Sequence, residues 1–273
     1  MKLKKHKGQH LLADRNMLEK IVRESGVTPE DHVLEIGAGT GLLTQLLADS
    51  AKKVISFEID KDMKENLFEI EEKFKNLDII FKDFLDFELH KFLLSEEETW
   101  KIVANIPYNI TTPIITKIIN EGYHCLSGVY LLIQREVAQR IISPPGTKDY
   151  GRLSIYTNFF FEPRVLFTVP PDVFIPPPKV DSAFLEMIPR KQTLDLNPKL
   201  FFEIVHAAFS QRRKQLRNCL KKNLKSIPVQ IIDESLEDSR IDPKRRAETL
   251  SIEDYARLTK TMDEKIDEKK QSN

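Results

Sequence analysis

The chain has 273 residues, 41% hydrophobic and 31% charged, and its 42 lysines and arginines balance 42 aspartates and glutamates. That length suffices for one large domain or for a large and a small one, and the composition excludes a disordered or fibrous chain. No apolar run approaches the roughly 20 residues that cross a bilayer, the start Met1-Lys-Leu-Lys-Lys-His-Lys-Gly8 lacks the apolar core of a signal peptide, and Cys125 and Cys219 are too few for a disulfide framework, so a cytoplasmic protein with no membrane association is expected.

The first seven residues carry four lysines and no acid, a basic arm suited to a phosphate backbone. From about Val33 to Ile188, short β-branched runs alternate with longer amphipathic stretches, the pattern of βαβ units that build a parallel sheet. Strands are expected near 33–37, 54–59, 78–82, 101–105, 128–134, 164–169 and 180–188, with helices from Leu42 to Asp49, Met63 to Phe74 and Pro113 to Glu121. The fold class is therefore α/β, with a mostly parallel seven-stranded sheet.

The proline cluster between Val169 and Lys179 excludes helix and central strand, because each proline lacks a donor and fixes its own φ; an ordered loop or a linker is expected. After Arg190 helical spacing takes over, in Leu200–Phe209 and in the row Leu216, Leu220 and Leu224. The expected organisation is a catalytic domain over 1–190 and a small helical domain over 191–273, whose polar end from Met262 frays. Arg213, Arg217, Lys221 and Lys225 recur every four residues beside the leucine row. A helix there buries one stripe and offers a basic one, to RNA phosphate or simply to solvent. The histidines and cysteines show no metal-ligand spacing, so no metal is expected.

Val33-Leu-Glu-Ile-Gly-Ala-Gly-Thr-Gly41 places glycines at alternate positions directly after a strand and before a helix. Glycine lets backbone approach a ligand closely, and the helix start offers unpaired amides. The spacing differs from the Gly-x-Gly-x-x-Gly of dinucleotide sites, and Glu35 just upstream suits a ligand with cationic groups. S-adenosylmethionine carries both an ammonium and a sulfonium. Glu58, at the end of the second strand, is the candidate for its ribose hydroxyls, and Asp83, after the third, for its adenine amine. Gly37 and Gly39 are the candidate backbone contacts.

The fourth strand runs into Asn105-Ile-Pro-Tyr108. An adenine exocyclic amine is a poor nucleophile because its lone pair is delocalised into the ring. If the Asn105 side-chain oxygen and the Ile106 or Pro107 carbonyl accept its hydrogens, the lone pair is aimed at a sulfonium methyl, while Pro107 stiffens the backbone and Tyr108 offers a stacking face. The plainer alternative is a turn in which Asn caps and Pro stiffens.

Six motifs, Gln9-His-Leu-Leu12, Val33–Gly41, Phe57-Glu-Ile-Asp60, Asn105-Ile-Pro-Tyr-Asn109, Tyr150-Gly-Arg-Leu-Ser154 and Phe174-Ile-Pro-Pro-Pro-Lys-Val-Asp-Ser182, occur in the order found in the small-subunit (16S) ribosomal RNA adenine dimethyltransferases of the KsgA type, which the chain resembles from residue 9 to 182. The resemblance implies a Rossmann-like S-adenosylmethionine-dependent sheet with a helical tail. It also implies dimethylation of N6 on two adjacent adenines in the 3′-terminal hairpin loop of 16S RNA, during assembly of the 30S subunit. Carried across by position, its cofactor contacts fall on His10, Leu12, Gly37, Glu58, Asp83 and Asn105, with His10 standing where many members have asparagine. On this comparison Phe174, held by prolines, supplies a second stacking face opposite Tyr108, or else packs in the core. A monomer is expected. The competing readings are a large-subunit (23S) adenine methylase of the macrolide-resistance type and a non-catalytic RNA-binding assembly factor. A DNA adenine methylase would show Asp-Pro-Pro-Tyr in place of Asn-Ile-Pro-Tyr.

Overall fold

The computed structural model describes residues 10–95, 98–191, 195–211 and 213–271. The basic arm before His10 and Arg212 lie outside the described residues. The chain divides into two compact units, Met1–Ala138 with Phe160–Pro189, and Gln139–Phe159 with Arg190–Asn273.

In chain order the first unit contains β1 (Leu11–Leu12), α1 (Arg15–Glu24), β2 (His32–Ile36), α2 (Leu42–Ser50), β3 (Lys53–Phe57), α3 (Lys64–Glu71), β4 (Leu77–Ile80), α4 (Leu89–Ser95), β5 (Trp100–Asn105), α5 (Thr111–Glu121) and β6 (Leu126–Gln134). The helices α6 (Arg135–Ile142) and α7 (Arg152–Phe160) follow, then β7 (Phe161–Val169), β8 (Phe174–Ile175) and β9 (Ser182–Pro189). Seven strands form one sheet in the order β4-β3-β2-β5-β6-β9-β7. The pairs from β4 to β6 are parallel, and β9 runs antiparallel to both β6 and β7. The seven-stranded, mostly parallel sheet expected from the sequence is thus present.

Burial explains the strand pattern. All five residues of β2 are buried, as are Ile102, Val103 and Ala104 of β5, which is what a parallel sheet covered on both faces demands. From β2 the chain moves outward through β3 to β4, then returns to β5 on the other side of β2. Such a reversal of strand order leaves a crevice beyond the carboxyl ends of the two strands, where ligands bind in open α/β sheets.

The proline cluster is an ordered segment and not a linker. It contributes β8, which pairs antiparallel with β1, Leu12 opposite Phe174 and Leu11 opposite Ile175. Ile175-Pro176 is a cis peptide. A two-residue strand pairing on one side tolerates flanking prolines that a central strand would not.

The second unit adds α8 (Pro198–Ala208), α9 (Leu216–Asn223), α10 (Val229–Asp238) and α11 (Ile252–Gln271). The expected boundary near residue 190 assigned Gln139–Phe159 to the catalytic domain, whereas the structure places that segment in the helical unit. The cause is local. The Tyr150 hydroxyl donates to the Leu250 carbonyl at 2.9 Å, the Gly146 amide to that of Glu248 at 2.7 Å, and Phe159 packs on Phe201 with ring centroids 4.5 Å apart. The polar end from Met262 does not fray within the described residues, since α11 continues to Gln271. Lys265 pairs there with Glu234 and Asp238 of α10, and Lys270 with Asp267 one turn earlier.

The leucine row is buried as expected, but α9 is too short to carry the whole basic stripe. Arg213 precedes it and Lys225 follows it. Arg217 donates through two nitrogens to Asp233, and Lys221 lies 3.8 Å from the same carboxylate. Arg217 first of all holds the Asp233 carboxyl below its ordinary range. Half the predicted stripe is therefore spent on an internal ion pair. Among the described residues Arg213, Lys214, Lys222 and Lys225 are exposed and carry no such pair. Amide donation from Leu216 to the Arg245 carbonyl and from Arg217 to that of Pro243 brings exposed Lys244 and Arg246 to the same end of α9.

Candidate active site

At the carboxyl ends of β2 and β5 lies a cleft lined by the glycine loop, the end of β5 and the residues just after His10. One wall is the glycine loop. Gly37, Gly39 and Gly41 all have positive φ, between 54° and 87°, a conformation other residues rarely adopt. The loop is pinned to β3 by the Gly37 and Ala38 amides, which both donate to the Phe57 carbonyl, at 2.8 and 3.0 Å. A Cβ on Gly41 would overlap the Ile70 side chain, so this glycine also lets α2 start close against α3.

Glu58 lines the cavity and is buried. One carboxylate oxygen accepts from the Gly39 amide at 2.8 Å, the other from the Asp60 amide at 2.7 Å. A carboxylate has about four acceptor positions, so both oxygens retain capacity for ligand hydroxyls. Glu35, read from the sequence as a companion to a cationic ligand, does not reach the cavity wall. It is fully buried, and its Oε2 accepts from the hydroxyls of Thr44 in α2 and Ser56 in β3, both at 2.6 Å. Its Oε1 has no partner among the described residues. Burial, with Glu58 close by, pushes its carboxyl up to about 7 against the two hydroxyl bonds. Glu35 is an internal bracket joining β2, α2 and β3 beneath the loop.

Asp83 lies outside the cavity wall as well. It follows β4, the strand next to β3, and its Oδ1 accepts from the Leu85 amide at 2.9 Å, capping a short 3-10 turn.

Asn105-Ile-Pro-Tyr108 forms another part of the wall. The Asn105 Nδ2 donates to the His10 carbonyl at 3.2 Å, which fixes the amide so that Oδ1 is left as the acceptor. The two backbone carbonyls that were open alternatives are now distinguished. The Pro107 carbonyl accepts from the Ile110 amide at 3.2 Å and the Thr111 hydroxyl at 3.4 Å, whereas no bond to the Ile106 carbonyl occurs among the described residues. Pro107 stiffens the turn, and Ile106 is the second candidate acceptor. Tyr108 is half-buried and shares a 2.6 Å hydrogen bond with the Ser182 hydroxyl. Burial pushes its phenol above the ordinary value, so the ring is neutral at physiological pH.

His10, Leu11 and Leu12 close the cavity from the N-terminal side. The His10 Nδ1–H donates to the Pro176 carbonyl at 2.7 Å, leaving Nε2 as the ring nitrogen able to accept, and its ring lies 5.4 Å from that of Tyr108.

Phe174 is where the sequence reading needs correction. Its side chain is 2% exposed and belongs to the core cluster with Leu12, Val169 and Phe184. A ring buried on both faces offers none to a base, so Phe174 packs and does not stack. Of the sequence-predicted residues, the cavity brings together His10, Leu12, Gly37, Gly39, Glu58, Asn105, Pro107 and Tyr108, and leaves out Asp83 and Phe174. Sequence reasoning missed the apolar wall of Leu11, Leu18, Leu42 and Leu43, which carries no chemical signal of its own, and Ser182, whose role depends on a contact across the fold.

A family model described as ribosomal RNA adenine dimethylase matches residues 1–264 of the chain. A ribosomal RNA small subunit methyltransferase A from Caldanaerobacter subterraneus subsp. tengcongensis is 44% identical over 266 residues, 96% of this chain and 98% of that protein. Among solved structures, a dimethyladenosine transferase from Plasmodium falciparum superposes with a TM-score of 0.81 at 28% identity, over 94% of this chain and 98% of that one. The 23S rRNA methyltransferase ErmE does so with a TM-score of 0.70, also at 28% identity, over 93% and 99%.

Proposed function

The chain belongs to the ribosomal RNA adenine dimethylase family, and from that premise we propose that it transfers methyl groups from S-adenosylmethionine to N6 of two adjacent adenines in the 3′-terminal hairpin loop of 16S RNA, on the assembling 30S subunit. The observation that carries the reading is the pair of acceptors at the end of β5. The Asn105 Oδ1 is oriented by the His10 carbonyl and the Ile106 carbonyl has no hydrogen bond among the described residues, and both residues line the cavity with Tyr108.

The cavity fits the donor by its own features. The positive-φ glycines leave room where a Cβ on Gly39 would meet Leu11 at 3.0 Å, Leu12, Leu18, Leu42 and Leu43 give an apolar wall, and Glu58 keeps free acceptor positions. Bound there, S-adenosylmethionine supplies an electrophilic methyl. Gly37 and Gly39 would hold it through backbone, Leu12 and His10 would line one side of it, and Glu58 would take ribose hydroxyls. Asp83, one strand further along and outside the cavity wall, would meet the adenine end only where the cofactor extends beyond that wall. Asn105 and Ile106 would accept the two hydrogens of the acceptor amine, bending it toward tetrahedral geometry and freeing its lone pair for the methyl that the donor would supply. Tyr108 carries the base on its face. The helical unit meets RNA phosphate through Arg213, Lys214, Lys222 and Lys225.

Relatives named as small-subunit methyltransferases, at 41–44% identity over 93–96% of this chain, support the small subunit as substrate. Incubation with labelled donor and each ribosomal subunit from a strain lacking the modification tests this. Label on two neighbouring adenines of 16S RNA is the expected result. Label confined to 23S RNA gives the macrolide-resistance type, and failure to bind S-adenosylmethionine by calorimetry gives a non-catalytic factor.

A further inference from the structure

Ser182 opens β9 fully buried, level with Gln134 of β6 and Val169 of β7. A hydroxyl in such a place is costly unless it is bonded. Its side-chain partner is the Tyr108 phenol, at 2.6 Å. Tyr108 itself follows Pro107 in a 3-10 turn closed by the Ile110 amide on the Pro107 carbonyl. The ring is therefore fixed at its Cα by a stiff turn and at its far end by a buried hydroxyl.

We propose that Ser182 is a positioning residue for methyl transfer, tethering the Tyr108 ring so that its face is presented to the acceptor base; this rests on the reading of Tyr108 as the stacking surface. A bond at the phenol oxygen fixes the axis of the ring but not its rotation about that axis. Rotation is limited by the His10 imidazole, 5.4 Å away at 33°, which the Pro176 carbonyl holds in turn. Pro176 and Ser182 both belong to the segment Phe174–Ser182. That segment acts on the base through a carbonyl and a hydroxyl, each steering an aromatic ring from another element, while its own phenylalanine packs in the core. Pre-ordering the ring removes a rotamer cost that would otherwise fall on base binding. With its hydroxyl engaged and kept neutral by burial, Tyr108 presents only its π face.

The test is single-turnover methyl transfer to unmethylated 30S subunits by Ser182→Ala, Tyr108→Phe, the double variant and Tyr108→Ala, with S-adenosylmethionine affinity measured alongside. Ser182→Ala and Tyr108→Phe are each expected to slow transfer about three- to tenfold, the range of one neutral hydrogen bond, with cofactor affinity unchanged. The double variant is expected to be no slower than either single one, because both remove the same bond. Tyr108→Ala should fall further. Multiplying effects in the double variant overturn the tether. So does a wild-type rate in Tyr108→Phe when Tyr108→Ala is impaired, a result that leaves stacking intact. A wild-type rate in Tyr108→Ala sinks the stacking reading itself and the tether with it. If Ser182→Ala does not fold, Tyr108→Phe decides alone, since it breaks the bond from the half-buried side.

Discussion

Glu35→Gln isolates the buried bracket under the glycine loop. Glutamine keeps an oxygen for the Thr44 and Ser56 hydroxyls but cannot ionise. In the folded protein the Glu35 carboxyl titrates at about 7, displaced from an ordinary 4.5 chiefly by complete burial and further by Glu58. Its ionised form is poorly satisfied, because Oε1 has no donor among the described residues. Between 4.5 and about 7 the unfolded chain has released this proton while the folded chain retains it, so stability falls as pH rises through that window and levels off above it. At about 1.4 kcal/mol per tenfold change in proton affinity, the displacement amounts to about 3 kcal/mol. Trp100, the single tryptophan, is buried in β5 and reports on the sheet-bearing unit. Urea unfolding followed by its fluorescence at pH 5 and pH 8 should show the wild type losing about 2.5 kcal/mol relative to Glu35→Gln, the remainder having been lost below pH 5. Parallel pH dependence in the two proteins would refute the assignment of this titration to Glu35.

Asn105→Ala should slow single-turnover transfer about a hundredfold or more while leaving S-adenosylmethionine affinity nearly unchanged, and a rate within a few-fold of wild type would remove Asn105 from the aligning role. Replacing Lys214, Lys222 and Lys225 by alanine should weaken RNA binding and flatten its salt dependence, with the slope of log affinity against log salt as the measurement. Arg217→Ala should instead show mainly as lost stability of the helical unit, because it strands Asp233 with only the more distant Lys221. Phe174→Ala should cost about 3–5 kcal/mol in unfolding, as for other buried aromatics, and Phe174→Leu should retain most activity, which a stacking residue would not.

The sheet was readable because parallel strands buried on both faces leave continuous apolar runs, and the glycine loop because three positive-φ positions at alternate spacing permit little else. Asn105 and Tyr108 were readable as cavity-lining candidates because their residue types match the chemistry proposed for them. What escaped was whatever depends on contacts across the fold. Phe174 beside three prolines has the same local sequence whether its ring faces a base or the core; pairing of β8 with β1 decides for the core. The basic row at Arg217 and Lys221 has helical spacing, yet Asp233, sixteen residues further along, turns it into an ion pair. Tyr150-Gly-Arg-Leu-Ser154 stood out as a motif without showing its unit, because its tyrosine bonds the Leu250 carbonyl a hundred residues away.

On the proposed reading, the orientation of Asn105 connects the two halves of the reaction. A primary amide can present either its oxygen or its nitrogen, and only the oxygen draws the acceptor amine into position. The choice is made by the His10 carbonyl, on the residue just before β1. The same segment supplies Leu11 and Leu12 to the cavity wall and is held by β8. The wall proposed to receive the donor and the carbonyl that orients Asn105 are thus one piece of backbone, so displacing the N-terminal segment is expected to disable both together. The groups proposed to meet the amine are neutral, an amide, a backbone carbonyl and a phenol. This suits the chemistry. Once methylated, the exocyclic nitrogen is cationic and sheds its proton to water readily, and the barrier lies earlier, in drawing the lone pair out of the ring. A site that aligns and excludes, with no side chain assigned to take a proton, addresses that earlier step.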